Sequence, residues 1–225
     1  MEVDNPVFQH PINCIVFGSS QAGKSSWAKL LIEYAAELFD PVPQEFWWCY
    51  TQDQAGYKWL KENPAVRMIE GLPSADEIKA TSDIPKLVIM DDLLQSLEGR
   101  SGDGGVSASA VVNLFINISH HHNASMVFLT QSLFFSGSLR VVRLNSHLLV
   151  LLKNPSDQSQ ISSLAKQIFP GNSKHLLDAY KDATRENYGY LVVDLFPKTD
   201  ERLRLRTKIF PHQYPQIVYV PKDYK

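Results

Sequence analysis

Cysteine is scarce in this sequence, and long apolar runs are missing from it. Only two of the 225 residues are cysteines, and both Cys14 and Cys49 lie inside apolar stretches. So few cysteines exclude a disulfide framework and give no metal-ligand spacing, so we expect two buried, reduced thiols. The longest purely aliphatic run, Leu148 to Leu152, is far too short to cross a bilayer. We therefore expect no membrane span, and an intracellular, reducing compartment.

An excess of charge of either sign is also missing. The chain has 22 Lys and Arg residues against 24 Asp and Glu residues, which gives a formal net charge of -2 at pH 7. Bulk charge therefore does not indicate a nucleic-acid partner, and any contact with DNA would need a local basic patch or a ring of subunits. The N-terminal segment MEVDNPVFQHP is acidic and lacks the apolar stretch of a signal peptide.

What the chain does have is the composition of a globular protein, with 44% hydrophobic and 20% charged residues. Apolar strands alternate with helical segments, and this order predicts an α/β fold with a largely parallel sheet flanked by helices. We expect strands at 13–17, 45–51, 66–70, 86–91, 125–130 and 147–152, and helices at 24–39, 57–62, 109–121, 157–168 and 174–184.

One domain is expected over residues 1–225, with smaller features attached to it. These are an N-terminal extension at 1–10, a mobile loop rich in Gly and Ser at 98–107, a C-terminal β-hairpin at 188–210 and a tail at 211–225. In open α/β sheets, ligands bind in the crevice at the carboxyl ends of the strands. Motifs that directly follow a strand are therefore the candidates for a functional site.

The segment Gly18 to Ser25 fits the phosphate-loop pattern G-x-x-x-x-G-K-[ST], with a strand before it and a helix after it. Its glycines allow backbone conformations that aim N–H groups at phosphates, and the helix N-terminus adds a partial positive charge. We predict that Lys24 reaches the β- and γ-phosphates of ATP and that the Ser25 hydroxyl binds Mg²⁺. The predicted nucleotide-binding residues are Gly18, Ser19, Ser20, Gln21, Ala22, Gly23, Lys24, Ser25 and Ser26.

Two carboxylates end the apolar strand KLVIMDD, as a magnesium site beside a phosphate loop requires. We predict that Asp91 holds Mg²⁺ and that Asp92 is the general base for the attacking water. A solvated loop carboxylate is the alternative for Asp92, because many motor ATPases carry the longer glutamate there. Gln131 follows the strand SMVFLT and is predicted to sense the γ-phosphate or the lytic water.

Arginines later in the chain have two interpretations each. Arg140 and Arg143 are either arginine fingers, which neutralise transition-state charge in a neighbouring subunit, or plain surface residues. Arg202, Arg204 and Arg206 alternate along the last predicted strand and therefore project from one face, which we expect to be solvated rather than bound to phosphates.

Other side chains that suggest ligand binding have simpler explanations. The run His120 to His122 is expected to end a helix and not to bind metal, because adjacent helical residues point in different directions. Trp47 and Trp48 are expected to pack in the core, one on each face of a buried strand.

Four segments of the second half resemble the FtsK/HerA-type genome-packaging ATPases, which are P-loop NTPases. They are SHHHNASMVFLTQSLF, RVVRLNSHLLVLLKNPSDQSQI, YKDATRENYGYLVVDLFP and LRLRTKIFP. The likeness is strongest to the branch of Polinton/Maverick elements and of adintovirus- or adenovirus-like double-stranded DNA viruses. It extends from the phosphate loop to about Phe210. One departure is Ser156, because relatives often carry arginine at that point of the Asn-Pro-Arg-Asp motif.

The resemblance implies a RecA-like core that assembles into a homo-oligomeric ring, a pentamer or a hexamer. It further implies ATP-driven translocation of double-stranded DNA into a preformed capsid, with capsid or vertex proteins as partners, in the nucleus or virus factory of a host cell and in the virion. By position, Lys24, Asp92, Gln131 and Arg140 take the catalytic roles, and Arg140 ranks above Arg143.

Two other functions fit the phosphate loop and remain open at this point. The first is a P-loop nucleotide or small-molecule kinase, although such an enzyme would need a lid bearing several arginines. The second is an ATP-gated capsid-assembly module that hydrolyses ATP slowly, and the aspartate at position 92 keeps this alternative open.

Overall fold

The computed structural model describes residues 8–91, 93, 107–135 and 137–221. Within these residues nine strands form one sheet, in the order β11-β10-β9-β8-β2-β7-β6-β4-β5, and β1 pairs with β3 beside it. The strands are β1 Phe8–Gln9, β2 Asn13–Phe17, β3 Phe39–Asp40, β4 Glu45–Tyr50, β5 Val66–Glu70, β6 Lys86–Asp91, β7 Ala124–Thr130, β8 Leu148–Leu152, β9 Tyr190–Asp194, β10 Leu205–Thr207 and β11 Ile217–Val218.

Parallel pairing joins six neighbouring strands, which in sheet order are β5, β4, β6, β7, β2 and β8. Antiparallel pairing joins β8 to β9, β9 to β10 and β10 to β11. The central strands β2, β6, β7 and β8 are mostly apolar, and every residue in them is buried. Such runs suit parallel strands covered on both faces. The register places Cys14 of β2 between Val127 of β7 and Leu148 of β8.

The helices cover both faces of this sheet. They are α1 Lys24–Glu33, α2 Ala35–Leu38, α3 Lys58–Glu62, α4 Ala75–Ala80, α5 Ala108–Asn113, α6 Ser119–His121, α7 Arg140–Leu144, α8 Ser159–Ile168 and α9 Ser173–Ala183. A π-helical turn, Leu114–Ile118, joins α5 to α6. Helix α4 begins with the capping box formed by Ser74 and Glu77, in which each side chain accepts a hydrogen bond from the backbone N–H of the other residue.

The core consists of two apolar clusters, one on each face of the sheet. Because neighbouring strand residues point to opposite faces, Trp47 packs in one cluster and Trp48 in the other. Both tryptophans are buried, which confirms that they belong to the core. Cys14 and Cys49 are free, buried thiols, as predicted, and burial raises the pKa of both.

Two expectations about the ends of elements were wrong in detail. The helix expected at 24–39 breaks at Tyr34, and residues 39–40 form β3 instead. The C-terminal hairpin consists of β9 and β10, and the strand expected at 202–210 is shorter, Leu205–Thr207. The mobile loop predicted at 98–107 and the extension at 1–10 lie outside the described residues, apart from residue 107 and residues 8–10.

The expectation of a solvated face for the three C-terminal arginines was wrong for Arg204, whose side chain is 16% exposed, and for Arg206. The Arg206 side chain is 1% exposed and donates to Asp194 Oδ2 at 2.7 Å. Arg202 lies before the strand in a 3₁₀ turn, where it pairs with Asp200 on the surface. Arg206 therefore belongs to a buried ion pair between β9 and β10, which the alternation of arginines could not reveal.

No helix within the described part of the chain is both long enough and apolar enough to cross a lipid bilayer.

Candidate functional site

The loop after β2 is anchored between the ends of two neighbouring strands. The Gly18 N–H donates to the Thr130 carbonyl at the end of β7, at 3.2 Å. On the other side, the Ser19 hydroxyl donates to the Lys153 carbonyl just after β8, also at 3.2 Å. A Cβ on Gly18 would lie 2.9 Å from Leu152 Cβ, so only glycine fits this approach to β8. The sheet therefore fixes where the loop begins.

Gly23 ends the loop in a left-handed conformation, with φ 103°, as the N-cap residue of α1. Its carbonyl accepts the first helical hydrogen bond, from Trp27 N–H at 2.8 Å. Gln21 also has a positive φ, 62°. Left-handed residues in such a loop turn successive N–H groups toward one point, and that arrangement binds anions. Together with the N-terminus of α1, the loop has the backbone geometry that a phosphate-binding site requires.

Lys24 extends back across this loop. Its Nζ donates to the carbonyls of Gly18 and Ser19, each at 2.9 Å. The ammonium group is thereby held at the beginning of the loop. A cation at this point suits the role that the sequence pattern predicts for Lys24, which is contact with the phosphates of ATP.

Ser25 and Asp91 meet at the end of the loop. The Ser25 hydroxyl donates to Asp91 Oδ2 at 2.9 Å, although 66 residues separate them in sequence. Asp91 is the last residue of β6 and is 4% exposed. A hydroxyl and a carboxylate are hard oxygen ligands of the kind that Mg²⁺ prefers. The pair therefore fits a magnesium ion that bridges the loop and β6.

Tyr57 also orients Asp91, which sequence reasoning missed. Its phenolic hydroxyl donates to Asp91 Oδ2 at 3.0 Å, and its side chain is 1% exposed. The 3₁₀ turn Ala55–Tyr57 places it there, and Lys29 Nζ of α1 donates to the Gly56 carbonyl of the same turn. Burial lowers the pKa of Lys29, while the charge of Asp91 acts in the opposite direction. No residue spacing in the sequence indicates these contacts.

A cleft of about 510 Å³ surrounds these groups. Of the predicted nucleotide-binding and catalytic residues, the cleft is lined by Ser20, Gln21, Gly23, Lys24, Ser25, Ser26, Asp91 and Gln131. Gln54, Thr130 and Tyr188 line it too, and the sequence did not single them out. The structure thus gathers the ends of β2, β6 and β7 around one opening.

The remaining predicted residues have different outcomes. Gly18, Ser19 and Ala22 belong to the same loop but do not line the cleft. Asp92 lies outside the described residues. Arg140 is exposed at the start of α7 and is not part of the cleft lining. Arg143 is half-buried, with its guanidinium 5.0 Å from the centre of the Phe134 ring. Burial, and then the charge of Arg140, lower the pKa of Arg143.

A larger hollow, of about 790 Å³, lies beside α8 and α9. It contains neither the phosphate loop nor Asp91, and its lining mixes Lys181 and Arg185 with Asp178 and Asp182. The larger volume alone does not identify a site. The smaller cleft combines a cation, a loop with positive-φ residues and two oxygen groups suited to Mg²⁺, and it is therefore the candidate functional site.

No family model and no curated protein matches this sequence. Among solved structures, the chain is similar to the genome packaging NTPase B204 from Sulfolobus turreted icosahedral virus 2 in complex with sulfate. The TM-score is 0.54 at 11% sequence identity, and the match covers 94% of this chain and 97% of that chain. The same NTPase in complex with ATP-gammaS matches with a TM-score of 0.52 at 11% identity, over 94% and 97% of the two chains.

In complex with AMPPCP, that NTPase matches with a TM-score of 0.51 at 11% identity, over 94% and 98% of the chains. At this level of identity the likeness shows the fold. The predicted α/β fold, with a largely parallel sheet flanked by helices, is confirmed.

Proposed function

We propose that this chain is an ATP-hydrolysing motor that translocates double-stranded DNA into a preformed capsid. One observation carries the proposal: the Ser25 hydroxyl contacts Asp91 at the end of the phosphate loop, as a phosphate and magnesium site would need. It does so in a chain whose structural match covers 97% of a viral genome packaging NTPase. The cleft by itself supports ATP binding and hydrolysis. The extent of the match supports packaging as the work that hydrolysis drives.

In this proposal the loop binds the triphosphate and α1 contributes the positive end of its dipole. Lys24 neutralises charge on the β- and γ-phosphates, while Ser25 and Asp91 hold Mg²⁺. When bound, the ion offsets the negative charge that develops on the phosphate oxygens. Tyr57 keeps the Asp91 carboxylate oriented toward Ser25, because its hydroxyl donates to the same oxygen.

Hydrolysis needs an oriented water and a group that stabilises the transition state. We assign the general base to Asp92, which directly follows Asp91 in the chain. Gln131 lines the cleft at the end of β7, where its amide can contact the γ-phosphate or the water. Arg140 is exposed and outside its own cleft lining, so we assign it to the site of a neighbouring subunit.

A ring of subunits fits the charge of the chain. With a net charge of -2, one subunit offers little attraction to DNA, whereas a ring sums a few contacts from each subunit. We therefore propose a pentameric or hexameric ring around the duplex, with capsid or vertex proteins as its docking partners. It would act in the nucleus or virus factory of a host cell and remain in the virion.

The test measures release of free phosphate from ATP with and without duplex DNA, for the wild type, Lys24→Ala and Lys166→Ala. Lys166 is an exposed lysine of α8 and serves as the matched control. We expect DNA-stimulated turnover in the wild type and in the control, and none in Lys24→Ala. ATP turnover that is independent of DNA and is unchanged in Lys24→Ala would refute the proposal.

Two other results would assign the cleft to a different function. Recovery of a phosphorylated acceptor in place of free phosphate would indicate a kinase. Nucleotide-dependent assembly without DNA-stimulated turnover would indicate an ATP-gated capsid-assembly module.

A further inference from the structure

Tyr188 presents its ring to solvent at the edge of the cleft. The side chain is 69% exposed, more than any other large apolar or aromatic side chain within the described ranges. Aromatic rings are usually buried, because their apolar area is large. An aromatic side chain left open beside a functional cleft is therefore a candidate contact for a ligand.

The backbone holds Tyr188 in this position at a cost in free energy. Its φ is 61°, a left-handed conformation that residues other than glycine seldom adopt. The next residue, Gly189, fits only because it has no side chain: a Cβ there would lie 2.3 Å from the Ala183 carbonyl oxygen. Its N–H donates to the Glu186 carbonyl at 3.2 Å, which closes the turn after α9. The turn thus determines where the ring projects.

The ring lies directly on the phosphate loop. A Cβ built on Gly23 would be 2.7 Å from Tyr188 Cδ1 and 3.6 Å from Cε1, so the ring edge covers the Cα of Gly23. Tyr188 also lines the cleft together with Ser20 and Gln21. A ligand bound to the N–H groups of this loop therefore comes within reach of the ring.

The topology places Tyr188 at the opposite end of the cleft from the magnesium ligands. In the sheet, β6 and β7 lie on one side of β2 and bring Asp91 and Gln131, whereas β8 and β9 lie on the other side. Because β9 runs antiparallel to β8, with Tyr190 opposite Leu152, the residues before β9 lie at the same edge as the phosphate loop. The hydrolytic groups occupy one end, and an aromatic ring occupies the other.

We propose that Tyr188 stacks on the base of the bound nucleoside triphosphate and so binds the nucleoside end of the substrate. The inference rests on the proposed binding of ATP in this cleft. The γ-phosphate would point toward Asp91 and Gln131, and the base would lie over the exposed ring. Stacking accepts any base, because every base has a π-face. Tyr188 would therefore favour nucleotides over inorganic triphosphate without choosing between ATP and GTP.

The experiment compares the affinity of a non-hydrolysable ATP analogue with that of inorganic triphosphate. The ring is removed by Tyr188→Asn, because asparagine tolerates a left-handed backbone and the variant can keep the turn. Tyr188→Phe retains the ring and removes only the hydroxyl. Leu144→Ala, at a side chain that is 61% exposed and outside the cleft lining, is the matched control.

We expect Tyr188→Asn to weaken binding of the ATP analogue about tenfold or more, the usual effect of losing one aromatic–base stack. Binding of inorganic triphosphate should change less than about twofold, since the phosphate loop is intact. Tyr188→Phe and Leu144→Ala should bind both ligands like the wild type. A GTP analogue should lose as much affinity as the ATP analogue.

Each other result is informative. Equal weakening of both ligands by Tyr188→Asn, or no weakening of either, would overturn the stacking role while leaving ATP binding in place. A wild-type chain that binds neither ligand would instead refute the proposed function at its first step.

Discussion

Replacement of Gly23 by alanine tests whether the left-handed end of the phosphate loop is essential for function. The residue has φ 103°, and a second glycine, Gly71, has φ 83° in open space, with nothing within 4 Å of an added Cβ. Gly71→Ala therefore imposes a similar backbone cost at a position that does not line the cleft. Comparison of the two variants separates the loss of stability that the backbone conformation causes from the loss of ATPase activity that a change in the phosphate loop causes.

The expected loss of stability follows from the backbone. An L-residue in the left-handed region loses roughly 1–2 kcal/mol relative to glycine. At Gly23 the new Cβ also lies 2.7 Å from Tyr188 Cδ1, but that ring is 69% exposed and can turn away. We therefore expect both variants to lose about 1–2 kcal/mol in the free energy of unfolding. Urea denaturation, followed by the fluorescence of the buried tryptophans, measures it.

The expected loss of activity differs sharply between them. An alanine at position 23 relieves its strain by rotating the adjacent peptide planes, which turns the loop N–H groups away from the phosphates. Loss of one preorganised backbone donor lowers turnover by about 10²–10³-fold. Gly71→Ala should retain turnover close to that of the wild type. Equal losses of ATPase activity in the two variants, or an unchanged stability of Gly23→Ala, would refute this reasoning.

Three further predictions concern the site, its neighbour and the core. Tyr57→Phe removes a hydrogen bond to Asp91, the carboxylate that we propose as a Mg²⁺ ligand, and should weaken the apparent affinity for Mg²⁺ about 10–100-fold in ATPase titrations. Unchanged Mg²⁺ dependence would contradict the orienting role of Tyr57. Arg140→Ala and Lys24→Ala should each be inactive, yet a mixture should regain part of the activity if Arg140 acts in a neighbouring subunit. A mixture that stays inactive would argue against this. Burial, and then the nearby His120, lower the pKa of His147 to about 4, and its Nδ1 accepts the Asn13 N–H at 2.9 Å. As pH falls below 6.5, the ordinary pKa of histidine, the His147 imidazole takes up a proton in the unfolded chain but stays neutral in the folded chain. The free energy of unfolding should therefore drop by about 1–2 kcal/mol between pH 7 and pH 5. His147→Gln should reduce that drop, and an equal drop in both proteins would exclude His147 as its source.

Much of the site could be predicted from sequence because each of its parts directly follows a recognisable apolar strand. The loop from Gly18 to Ser25 needs only a strand before it and a helix after it, and both are apparent in the apolar pattern. Asp91 could be predicted because a continuous apolar strand ends there, and parallel strands bring their carboxyl ends to one edge. Gln131 lies in the cleft for the same reason.

Other contacts depend on the turns between elements. Tyr57 reaches Asp91 from a 3₁₀ turn, and the ring of Tyr188 lies over Gly23 because its own backbone is left-handed. Neither conformation can be recognised from the sequence. Helices and strands show a regular spacing of apolar residues, whereas a turn is determined by a few local hydrogen bonds and has no such spacing.

The sequence by itself determined the alternation of strands and helices, the phosphate loop and the carboxylate that faces it. These follow from the burial of apolar residues and from the fixed geometry of a strand that leads into a helix. Only the tertiary structure decided that Arg206 is buried against Asp194, that Arg140 stands outside its own cleft, and that an aromatic ring covers the loop. Each of these depends on how whole elements pack and on the exact conformation of the turns between them, and neither is set by a repeating pattern in the chain.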